Sequence, residues 1–485
     1  MAEGRGRRAV RIAARAASQE AGRSLSRAVR RTSPEPGADH AAERARQFRR
    51  TLEELGPFYI KIGQILATRP DFVPDHVREE LSLLNDQAVA RPFAAFAPVL
   101  ERELGPGWRD RFASVRTEEP LGSASLAQVY RATLRDGTDC VIKVQRPDAD
   151  RAVLGDMRAL GRVARLTARF TPRFNAVIDM GGMLEVLFDA MRDELDFTRE
   201  ASHMKAGRKL ARDYKYISVP KVLHATPKVL IQSLADGVAI NRVKEDAFTE
   251  KQRKKTANQL IEFMFRSYFT TGRFHADPHP GNVLIGSDGT AHIIDWGMVG
   301  RLDRGARLAV LGLFVALARN DGESFARQWI RLGSLTPWSD VPGFIQDLSR
   351  KIPRWSNATL AELNYGVALM SVLRYSTHRG IHVAPIVSVI GKSVANMEGS
   401  VRCLYSKAKL RDTLRGTLDT IVRDQLRSEL DAEQLGAHLL NLLTLTDKSA
   451  AQVHTILSEL ASRQFTIQTR TNLGDPIAYG RKHRR

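Results

Sequence analysis

Apolar residues follow a helical pattern in the first part of the chain. Between residues 41 and 104 they recur every three or four positions, and turn signals at Gly56-Pro57, Arg69-Pro70 and Arg91-Pro92 divide them into segments. This spacing places apolar side chains on one face of an α-helix, and Gly and Pro interrupt such helices. The pattern predicts a helical extension over residues 41–110.

From Val115 onward the pattern changes to short β-like segments. The runs LAQVYRATL and CVIKVQ flank a turn at Arg135-Asp136-Gly137, which together predict a β-hairpin. Helical spacing returns between Arg151 and Arg212, and two further β-like runs, ISVPKVL and KVLIQSL, follow it. We predict a small sheet with one helical insertion over residues 111–236.

A second hairpin follows a predicted helix at Lys251 to Thr271. The segments NVLIG and AHIID flank Ser287-Asp288-Gly289, and such turn residues between two apolar runs are typical of a hairpin. Everything after Asp303 has a helical pattern. We therefore predict a second lobe over residues 237–345 and a helical C-terminal region over residues 346–485.

Nothing in the sequence indicates a membrane-spanning or secreted protein. The longest apolar run, Leu308 to Ala318, has 11 residues, whereas a spanning helix requires about 20. It predicts a buried helix and no transmembrane segment. The two cysteines, Cys140 and Cys403, fit no metal or disulfide spacing. We expect a cytoplasmic location, with peripheral attachment to a membrane left open.

The chain carries a large excess of positive charge. Lys and Arg number 74 against 54 Asp and Glu, a net charge of +20, which attracts nucleic acid, anionic lipid or phosphate ligands. The Arg-rich residues 1–40 are predicted to form a disordered segment, with an amphipathic helix on an anionic membrane surface as the alternative. Nucleic acid is the least expected partner, because these arginines lack interleaved aromatic residues that stack on bases.

The stretch FHADPHPGNVLIGSDGTAHIIDWGMVG contains the main candidate chemistry. Asp277 and Asn282 lie five residues apart, and Asp295 follows thirteen residues later, directly after an apolar strand. These intervals match the catalytic loop and the metal-binding Asp of a phosphotransferase. Asn282 and Asp295 would supply oxygen ligands for Mg²⁺, and Asp277 would orient an attacking hydroxyl group. His275 is expected to anchor the loop.

A phosphotransferase also needs a strand lysine for the nucleotide phosphates. Lys143 lies in the apolar run Val-Ile-Lys-Val, downstream of the sequence PLGSASLAQVY, as this chemistry requires. The loop of that sequence has small residues that let a backbone approach phosphates, although it has fewer glycines than a typical phosphate-binding loop. The predicted nucleotide-binding residues are Lys143, Gly122, Ser123, Ala124 and Ser125.

Two other readings of these residues remain open at this point. The Asp-Gly and Pro-Gly pairs could form ordinary turns capped by aspartates. A histidine-based metal site could use His275, Asp277 and His279, but these alternate within a loop that has no helix to bring them together. The joint spacing of the loop with Lys143 favours the phosphotransferase.

Several motifs together resemble one known family. They are FYIKIGQILATRPDFVP, GSASLAQVY, ELD followed by FTREA, HADPHPGN and IIDWGMVGRL. The chain closely resembles the UbiB/AarF-type atypical kinases, a protein-kinase-like family linked to isoprenoid quinone metabolism. The resemblance covers roughly residues 45 to 310.

The resemblance implies roles for particular residues. Lys143 would pair with Glu200 on a helix equivalent to the kinase αC helix, and Asp277 would be the catalytic-loop aspartate. Asn282 and Asp295 would bind Mg²⁺. The family's lid would consist of Lys61 and Gln64 reaching over the site to meet Glu194 and Asp196.

The chain departs from the family pattern at three points. Gly122 stands where family loops often have Ala, which leaves open a preference for ATP or ADP. Trp296 replaces the usual Phe but keeps an aromatic ring. The C-terminal region has none of the membrane spans that many bacterial members carry.

The sequence predicts a two-lobed, protein-kinase-like α+β fold with a helical N-terminal extension and a helical C-terminal region. The implied function is that of an ATP-dependent atypical kinase or ATPase using ATP or ADP and Mg²⁺. Its acceptor would be a quinone precursor or another small, lipid-like molecule. The alternatives are an aminoglycoside- or choline-type phosphotransferase, which would lack the KIGQ and ELDFTREA motifs, and a nucleotide-switched, membrane-associated scaffold with little turnover.

Overall fold

A computed structural model describes most of the chain between residues 38 and 409. The described ranges are 38–67, 73–84, 88–170 and 191–409, with a few residues at 185–189 and 412–422. The predicted basic N-terminal segment lies outside the described residues, except for its last three positions. Most of the predicted helical region beyond residue 409 also lies outside them.

The predicted helical extension consists of short helices joined by tight breaks. Helices α1 (Ala38–Leu55), α2 (Pro57–Ala67) and α3 (Asp75–Ser82) pack on one another, and α4 (Ala97–Leu104) follows. The break between α1 and α2 occurs at Gly56, whose φ of 107° suits glycine. Gly63 of α2 packs so closely that an added Cβ would lie 2.2 Å from Leu84. Helices α1 to α3 therefore form a compact helical unit, whereas α4 packs on the sheet that follows.

A six-stranded, largely antiparallel sheet follows, in the order β1-β3-β4-β7-β6 with β2 paired to β3. The strands are β1 (Phe112–Val115), β2 (Gly122–Ser123), β3 (Ala127–Leu134), β4 (Asp139–Gln145), β5 (Ile217–Ser218), β6 (Val222–Ala225) and β7 (Val229–Ser233), of which β5 joins another sheet. The first predicted hairpin is present as β3 and β4, where Tyr130 pairs with Ile142. Both of these side chains are fully buried.

Two of the helices that the structure describes lie between β4 and β5 in sequence. Helix α5 (Ala149–Phe170) follows the hairpin, and α6 (Phe197–Ala211) begins where the Asp196 side chain accepts a hydrogen bond from the Thr198 backbone N–H. This N-cap satisfies a backbone donor that the helix cannot. Phe197 and Met204 of α6 are buried in the largest apolar core.

The second lobe combines helices with small sheets. Its elements are β8 (Val238–Ala239), α7 (Glu250–Arg266), β9 (Arg273–His275), β10 (Val283–Ile285), β11 (Ala291–Ile293), β12 (Val299–Arg301), α8 (Arg304–Ala318), α9 (Gly322–Ile330) and β13 (Gly333–Leu335). The second predicted hairpin is present as β10 and β11. The apolar run at Leu308–Ala318 lies in α8, most of whose residues are buried. Among the described helices, none combines the length and apolar composition that a membrane span requires.

The described part of the C-terminal region is mostly helical and packs on this lobe. It contains α10 (Val341–Asn357), α11 (Tyr365–His378), β14 (Ile381–Val383) and α12 (Ile386–Leu404). Helix α12 lies against α7 and α11, and Val394 and Met397 are buried in the shared core. The region is thus part of the lobe's packing.

Two details of the sequence prediction are wrong. The chain after Asp303 is not entirely helical, because β13 and β14 form a two-stranded sheet. The run ISVPKVL is not one strand: Pro220 divides it, β5 pairs in parallel with β11, and β6 pairs with β7 of the other sheet. Proline lacks the backbone donor that a continuous strand needs.

The connection between the two sheets generates a testable prediction at Gly237. Its φ is 128°, and a Cβ there would lie 2.3 Å from the carbonyl oxygen of Ile285. We expect Gly237→Ala to lower the free energy of unfolding by about 2 kcal/mol, because both backbone strain and the clash oppose it. Urea denaturation measures the change.

The matched control is Gly155→Ala in α5, where an added Cβ meets no atom within 4 Å. That substitution should leave stability unchanged or raise it by up to about 1 kcal/mol through helix propensity. Equal urea midpoints for Gly237→Ala and the wild type would show that the connection tolerates a side chain.

Candidate active site

Lys143 and Glu200 form a buried ion pair between the sheet and α6. Lys143 lies on β4, which is hydrogen-bonded to β3 on one side and β7 on the other. Its Nζ lies 2.8 Å from Glu200 Oε1 and 2.9 Å from Oε2. The ring of Phe197 lies 5.3 Å from the ammonium group. Because Glu200 lies one turn after the N-cap of α6, the start of this helix fixes the glutamate opposite the strand.

Asp295 lies beside this pair and is more open to solvent. Its Oδ1 is 3.5 Å from Lys143 Nζ, and its side chain is 45% exposed, against 3% for Glu200. The Gly297 backbone N–H donates to the same oxygen at 3.0 Å. Burial alone would raise the pKa of Asp295, but Lys143 and the Gly297 N–H outweigh it and hold the pKa below its ordinary value. The carboxylate is therefore ionised and accessible to a cation.

The pKa of Lys143 lies above its ordinary value. Burial opposes the charged form, but the carboxylates of Asp295 and Glu200 more than offset this effect. The lysine therefore remains an ammonium group at neutral pH and can donate hydrogen bonds to an anion.

Trp296 fixes the loop that carries Asp295. Its indole N–H donates to the Ile293 carbonyl at 3.0 Å, and its ring packs against Gly207 of α6. A Cβ at Gly207 would lie 2.3 Å from that ring. The bulkier tryptophan is thus accommodated by a glycine, a residue that sequence reasoning did not single out.

The loop between β9 and β10 holds Asp277 and Asn282 in place through its own hydrogen bonds. The Asp277 backbone N–H donates to His275 Nδ1 at 3.1 Å, and Asn282 Nδ2 donates to the Asp277 carbonyl at 3.1 Å. Burial lowers the pKa of His275, so the imidazole is neutral and accepts this bond. His275 thus contacts the loop backbone as an anchor.

Asn282 and Asp295 are neighbours across the hairpin. The Ile294 backbone N–H donates to the Asn282 carbonyl at 3.0 Å, next to Asp295 in sequence. Within the described residues, no three His, Cys, Asp or Glu side chains are grouped as a metal cluster. One carboxylate and one amide oxygen, completed by phosphate oxygens and water, instead fit Mg²⁺, which keeps several waters in its sites.

Helix α12 contacts the side chain of Asp277 directly. Lys392 Nζ lies 3.0 Å from Asp277 Oδ2, and Asn396 Nδ2 donates to Oδ1. Burial would raise the pKa of Asp277, but Lys392, Lys61 and His279 outweigh it and lower the pKa. The carboxylate is therefore ionised and hydrogen-bonded at both oxygens.

The same helix also binds the backbone of the Asp277 loop. Ser393 Oγ donates to the His275 carbonyl at 2.5 Å, and Ser400 Oγ donates to the Pro278 carbonyl at 2.8 Å. Sequence reasoning did not include any of these α12 residues. A signal was present, because Lys392, Asn396 and Ser400 are spaced four apart in a largely apolar helix and so share one face.

The predicted phosphate-binding hairpin is braced by an arginine. Arg146 Nη2 donates to Ser123 Oγ at 2.7 Å, and its Nε donates to the Ala124 carbonyl at 2.8 Å. Ser125 lies at the turn, and a Cβ at Gly122 would meet no atom within 4 Å. The hairpin is thus held in shape despite few glycines. Arg146 is a further supporting residue that the sequence did not indicate.

Of the four predicted lid residues, the structure brings Lys61 and Glu194 together. Lys61 Nζ lies 2.9 Å from Glu194 Oε1, and both side chains are largely buried. Gln64 Nε2 donates to the Leu84 carbonyl at 3.2 Å, within the helical extension. Asp196 caps α6 instead of extending toward the lid. Helix α2 therefore contacts the segment before α6 through the Lys61–Glu194 ion pair and through a shared apolar cluster that includes Phe58 and Met191.

These features define a protein-kinase-like fold: a strand lysine paired with a helix glutamate, and two loops carrying Asp277 and Asp295. The comparison with protein families agrees, since residues 83–329 match the ABC1 atypical kinase-like domain. The chain belongs to this family. The predicted fold class and family are confirmed.

Relatives and a solved structure extend this comparison. The chain is 32% identical over 74% of its length to Protein ACTIVITY OF BC1 COMPLEX KINASE 3, chloroplastic, of Arabidopsis thaliana, and spans about half (50%) of that relative. It is 30% identical over 79% of its length to Probable protein kinase UbiB of Aeromonas salmonicida, covering 71% of it. The solved Rv3197–erythromycin complex from Mycobacterium tuberculosis is similar with a TM-score of 0.51 and 25% identity, over 75% of this chain and 96% of that one.

The Lys143–Glu200 pair generates a prediction about stability. Removing one member of a buried ion pair leaves an uncompensated charge and costs about 3–5 kcal/mol. We expect Lys143→Met to reach this range, because it leaves Glu200 facing Asp295. Glu200→Leu should cost less, because Lys143 keeps Asp295 as a partner 3.5 Å away. Urea denaturation of the single and double variants measures both costs and their coupling.

The control pair is Glu323–Arg327 on α9, whose side chains are 57% and 64% exposed. Glu323→Ala should change stability by less than about 1 kcal/mol. If Glu200→Leu destabilised the protein more than Lys143→Met, the proposed effect of Asp295 on the pair would be wrong.

Proposed function

We propose that the protein is an ATP-dependent atypical kinase or ATPase that binds ATP or ADP with Mg²⁺. The observation that carries this proposal is the position of Asp295, half-exposed and 3.5 Å from the Lys143 ammonium group. A cation site beside a fixed ammonium group suits a metal-bound polyphosphate, whose negative charge needs both. Membership of the ABC1 atypical kinase-like family supports the same chemistry.

The nucleotide phosphates lie between the hairpin and Lys143 in this proposal. The hairpin of Gly122 to Ser125 covers them, and Lys143 donates to them while Glu200 holds its ammonium group in place. Asn282 and Asp295 would hold Mg²⁺, which would supply positive charge to the nucleotide phosphates. These side chains position the ligand before the reaction begins.

Asp277 orients the hydroxyl group that attacks the γ-phosphorus. Its carboxylate is ionised, and Lys392 and Asn396 fix both oxygens. Such a group contributes mainly by positioning the nucleophile and accepting its proton. The nucleophile is water in an ATPase and an acceptor hydroxyl in a kinase.

The acceptor is a small or lipid-like molecule in this proposal. The buried Lys61–Glu194 ion pair holds α2 against the segment that precedes α6, and this lid restricts access for a bulky peptide. Relatives named Probable protein kinase UbiB support a role in isoprenoid quinone biosynthesis. The Lys61–Glu194 contact also favours this family over an aminoglycoside- or choline-type enzyme, which would lack the KIGQ helix.

The first functional prediction is that Mg-nucleotide stabilises the folded protein. A ligand that binds only the folded state adds about 2.7 kcal/mol at a hundredfold excess over its Kd, so Mg-ATP or Mg-ADP should raise the Tm. Asp295→Asn should reduce the Mg-dependent part of this shift, because the metal loses a charged ligand. Asp277→Asn should keep most of the shift and lose turnover. Thermal melts and ADP release measure the two effects.

Asp246→Asn, in an exposed turn, is the matched control and should resemble the wild type in both assays. If the wild type shows neither a Mg-dependent shift in Tm nor turnover, the kinase-like site is vestigial. A shift without turnover would favour the nucleotide-switched scaffold. Full turnover in both site variants would mean that the site is wrongly placed.

The second functional prediction concerns the lid. Lys61→Ala should raise ATP hydrolysis several-fold, because loss of the Glu194 ion pair admits water to the site. The Kd of Mg-ATP should stay within about threefold, since Lys61 Nζ is paired with Glu194, which is not one of the proposed nucleotide-binding residues. Steady-state hydrolysis and nucleotide titration distinguish the two quantities.

Lys205 is an exposed lysine on α6, and Lys205→Ala serves as the control for loss of a surface charge. Lys61→Arg should restore the wild-type rate if the ion pair is what closes the lid. Loss of folding in Lys61→Ala, with a normal rate in Lys61→Arg, would show that the contact is a packing interaction and not a gate.

A further inference from the structure

The segment that contacts the Asp277 carboxylate lies outside the matched family domain. That domain ends at residue 329, whereas α12 begins at Ile386. Its polar face nevertheless contacts Asp277 by two side chains and the loop backbone by two more. The site is therefore completed from the C-terminal region.

The Asp277 loop itself has no lysine or arginine to meet a transferred phosphoryl group. Its residues 277–282 are Asp-Pro-His-Pro-Gly-Asn, and His279 Nδ1 accepts a bond from the Gly281 backbone N–H at 3.0 Å. Phosphoryl transfer spreads negative charge over the equatorial oxygens of the moving group. A positive charge beside Asp277 must come from elsewhere in the fold.

Two other lysines near the site are paired with carboxylates other than Asp277. Lys143 is bonded to Glu200, and Lys61 is bonded to Glu194. Lys392 differs, because its carboxylate partner is Asp277 itself. Any hydroxyl group that Asp277 orients toward phosphorus therefore lies next to the Lys392 ammonium group.

The Lys392 ammonium group has donors available for a ligand. In the part of the chain that the structure describes, its hydrogen bond goes to Asp277 Oδ2, and its side chain is 20% exposed. An ammonium group has three N–H donors, so two can point toward an incoming oxyanion. A largely buried lysine also donates in a less polar medium than water, where electrostatic stabilisation is larger.

The packing of α12 against the loop does not explain why a lysine occupies position 392. Ser393 and Ser400 already bind the helix to the loop through backbone carbonyls, whereas Lys392 and Asn396 contact the carboxylate. Desolvating a charged side chain is costly unless it gains a partner. Its placement against the reacting carboxylate is therefore a feature of the site's chemistry.

We propose that Lys392 is a catalytic residue that binds the transferred phosphoryl group, and that Asn396 is a positioning residue for Asp277. This inference rests on the proposed kinase or ATPase function. In the step, the oxygen of the acceptor hydroxyl or of water bonds to the γ-phosphorus, and the bond from this phosphorus to the β–γ bridging oxygen breaks. ADP leaves with the electron pair, and Asp277 accepts the hydroxyl proton. Lys392 donates hydrogen bonds to the moving group and undergoes no covalent change.

The test compares Lys392→Met and Lys392→Arg with the wild type in the full chain. We expect Lys392→Met to lower kcat for ADP formation by about 100-fold or more, the effect of removing one electrostatic donor from an active site. The Kd of Mg-ADP should stay within about threefold. Lys392→Arg should recover part of the lost rate, because it restores a cation.

A second readout separates catalysis from structure. Mg-ADP with aluminium fluoride mimics the moving phosphoryl group, so the wild type should bind it more tightly than Mg-ADP alone. Lys392→Met should lose this preference while keeping Mg-ADP binding. Lys407→Met, which removes a 75%-exposed lysine just after α12, should retain both the rate and the preference.

Each other outcome overturns the inference. An unchanged or increased rate in Lys392→Met, or an unchanged preference for aluminium fluoride, would show that the lysine only holds or restrains Asp277. If Lys392→Met fails to fold, Lys392→Gln keeps a donor for Asp277 without the charge, and a normal rate there would also contradict the inference. A wild type that binds no Mg-nucleotide would instead overturn the proposed function, and this inference with it.

Discussion

The ion pair between Lys143 and Glu200 is the interaction on which the geometry of the site depends. It joins the sheet to α6, and the Trp296 backbone N–H lies 3.4 Å from the same glutamate, so one carboxylate connects the sheet, the helix and the loop that carries Asp295. A buried charge without a partner is strongly unfavourable. The sheet, helix and loop therefore keep one relative arrangement, which places the Asp295 carboxylate where a cation can reach it.

Around this pair the site alternates positive and negative groups. Each ammonium group faces one carboxylate across an element boundary, and the three pairs are Lys143–Glu200, Lys61–Glu194 and Lys392–Asp277. Asp295 is the added carboxylate, and it is the most exposed of the four. The pairing of each ammonium group with a carboxylate explains how these charges are tolerated close together, and the additional exposed carboxylate explains why a cation is attracted to the site.

The parts of this arrangement that sequence could predict depend on short-range signals. The turn at Asp136-Gly137 specified the β3–β4 hairpin, and the joint spacing of Asp277, Asn282 and Asp295 singled out the loop residues. The resemblance to the family added Glu200 and the lid residues, of which Gln64 and Asp196 have other contacts in the structure. The pairing of strands was harder to predict. The periodicity of the sequence indicates that Ile217 is in a strand, but it does not indicate that Ile217 pairs with Ala291.

The contact between α12 and Asp277 could not be predicted from short-range signals, because 115 residues separate Lys392 from Asp277. Packing in the core determines this contact: the Tyr268 hydroxyl donates to Ser393 Oγ, and this positions α12 so that residues four apart face the loop.

The position of α12 therefore couples folding to the chemistry of the site. Because one turn of a helix spans about 5.4 Å, a displacement of α12 by a single turn would withdraw both Lys392 and Asn396 from hydrogen-bond range of Asp277. The carboxylate would then lose the ammonium group that most favours its ionised form. The docking of the C-terminal region is therefore a condition for a complete site, and not an accessory to it.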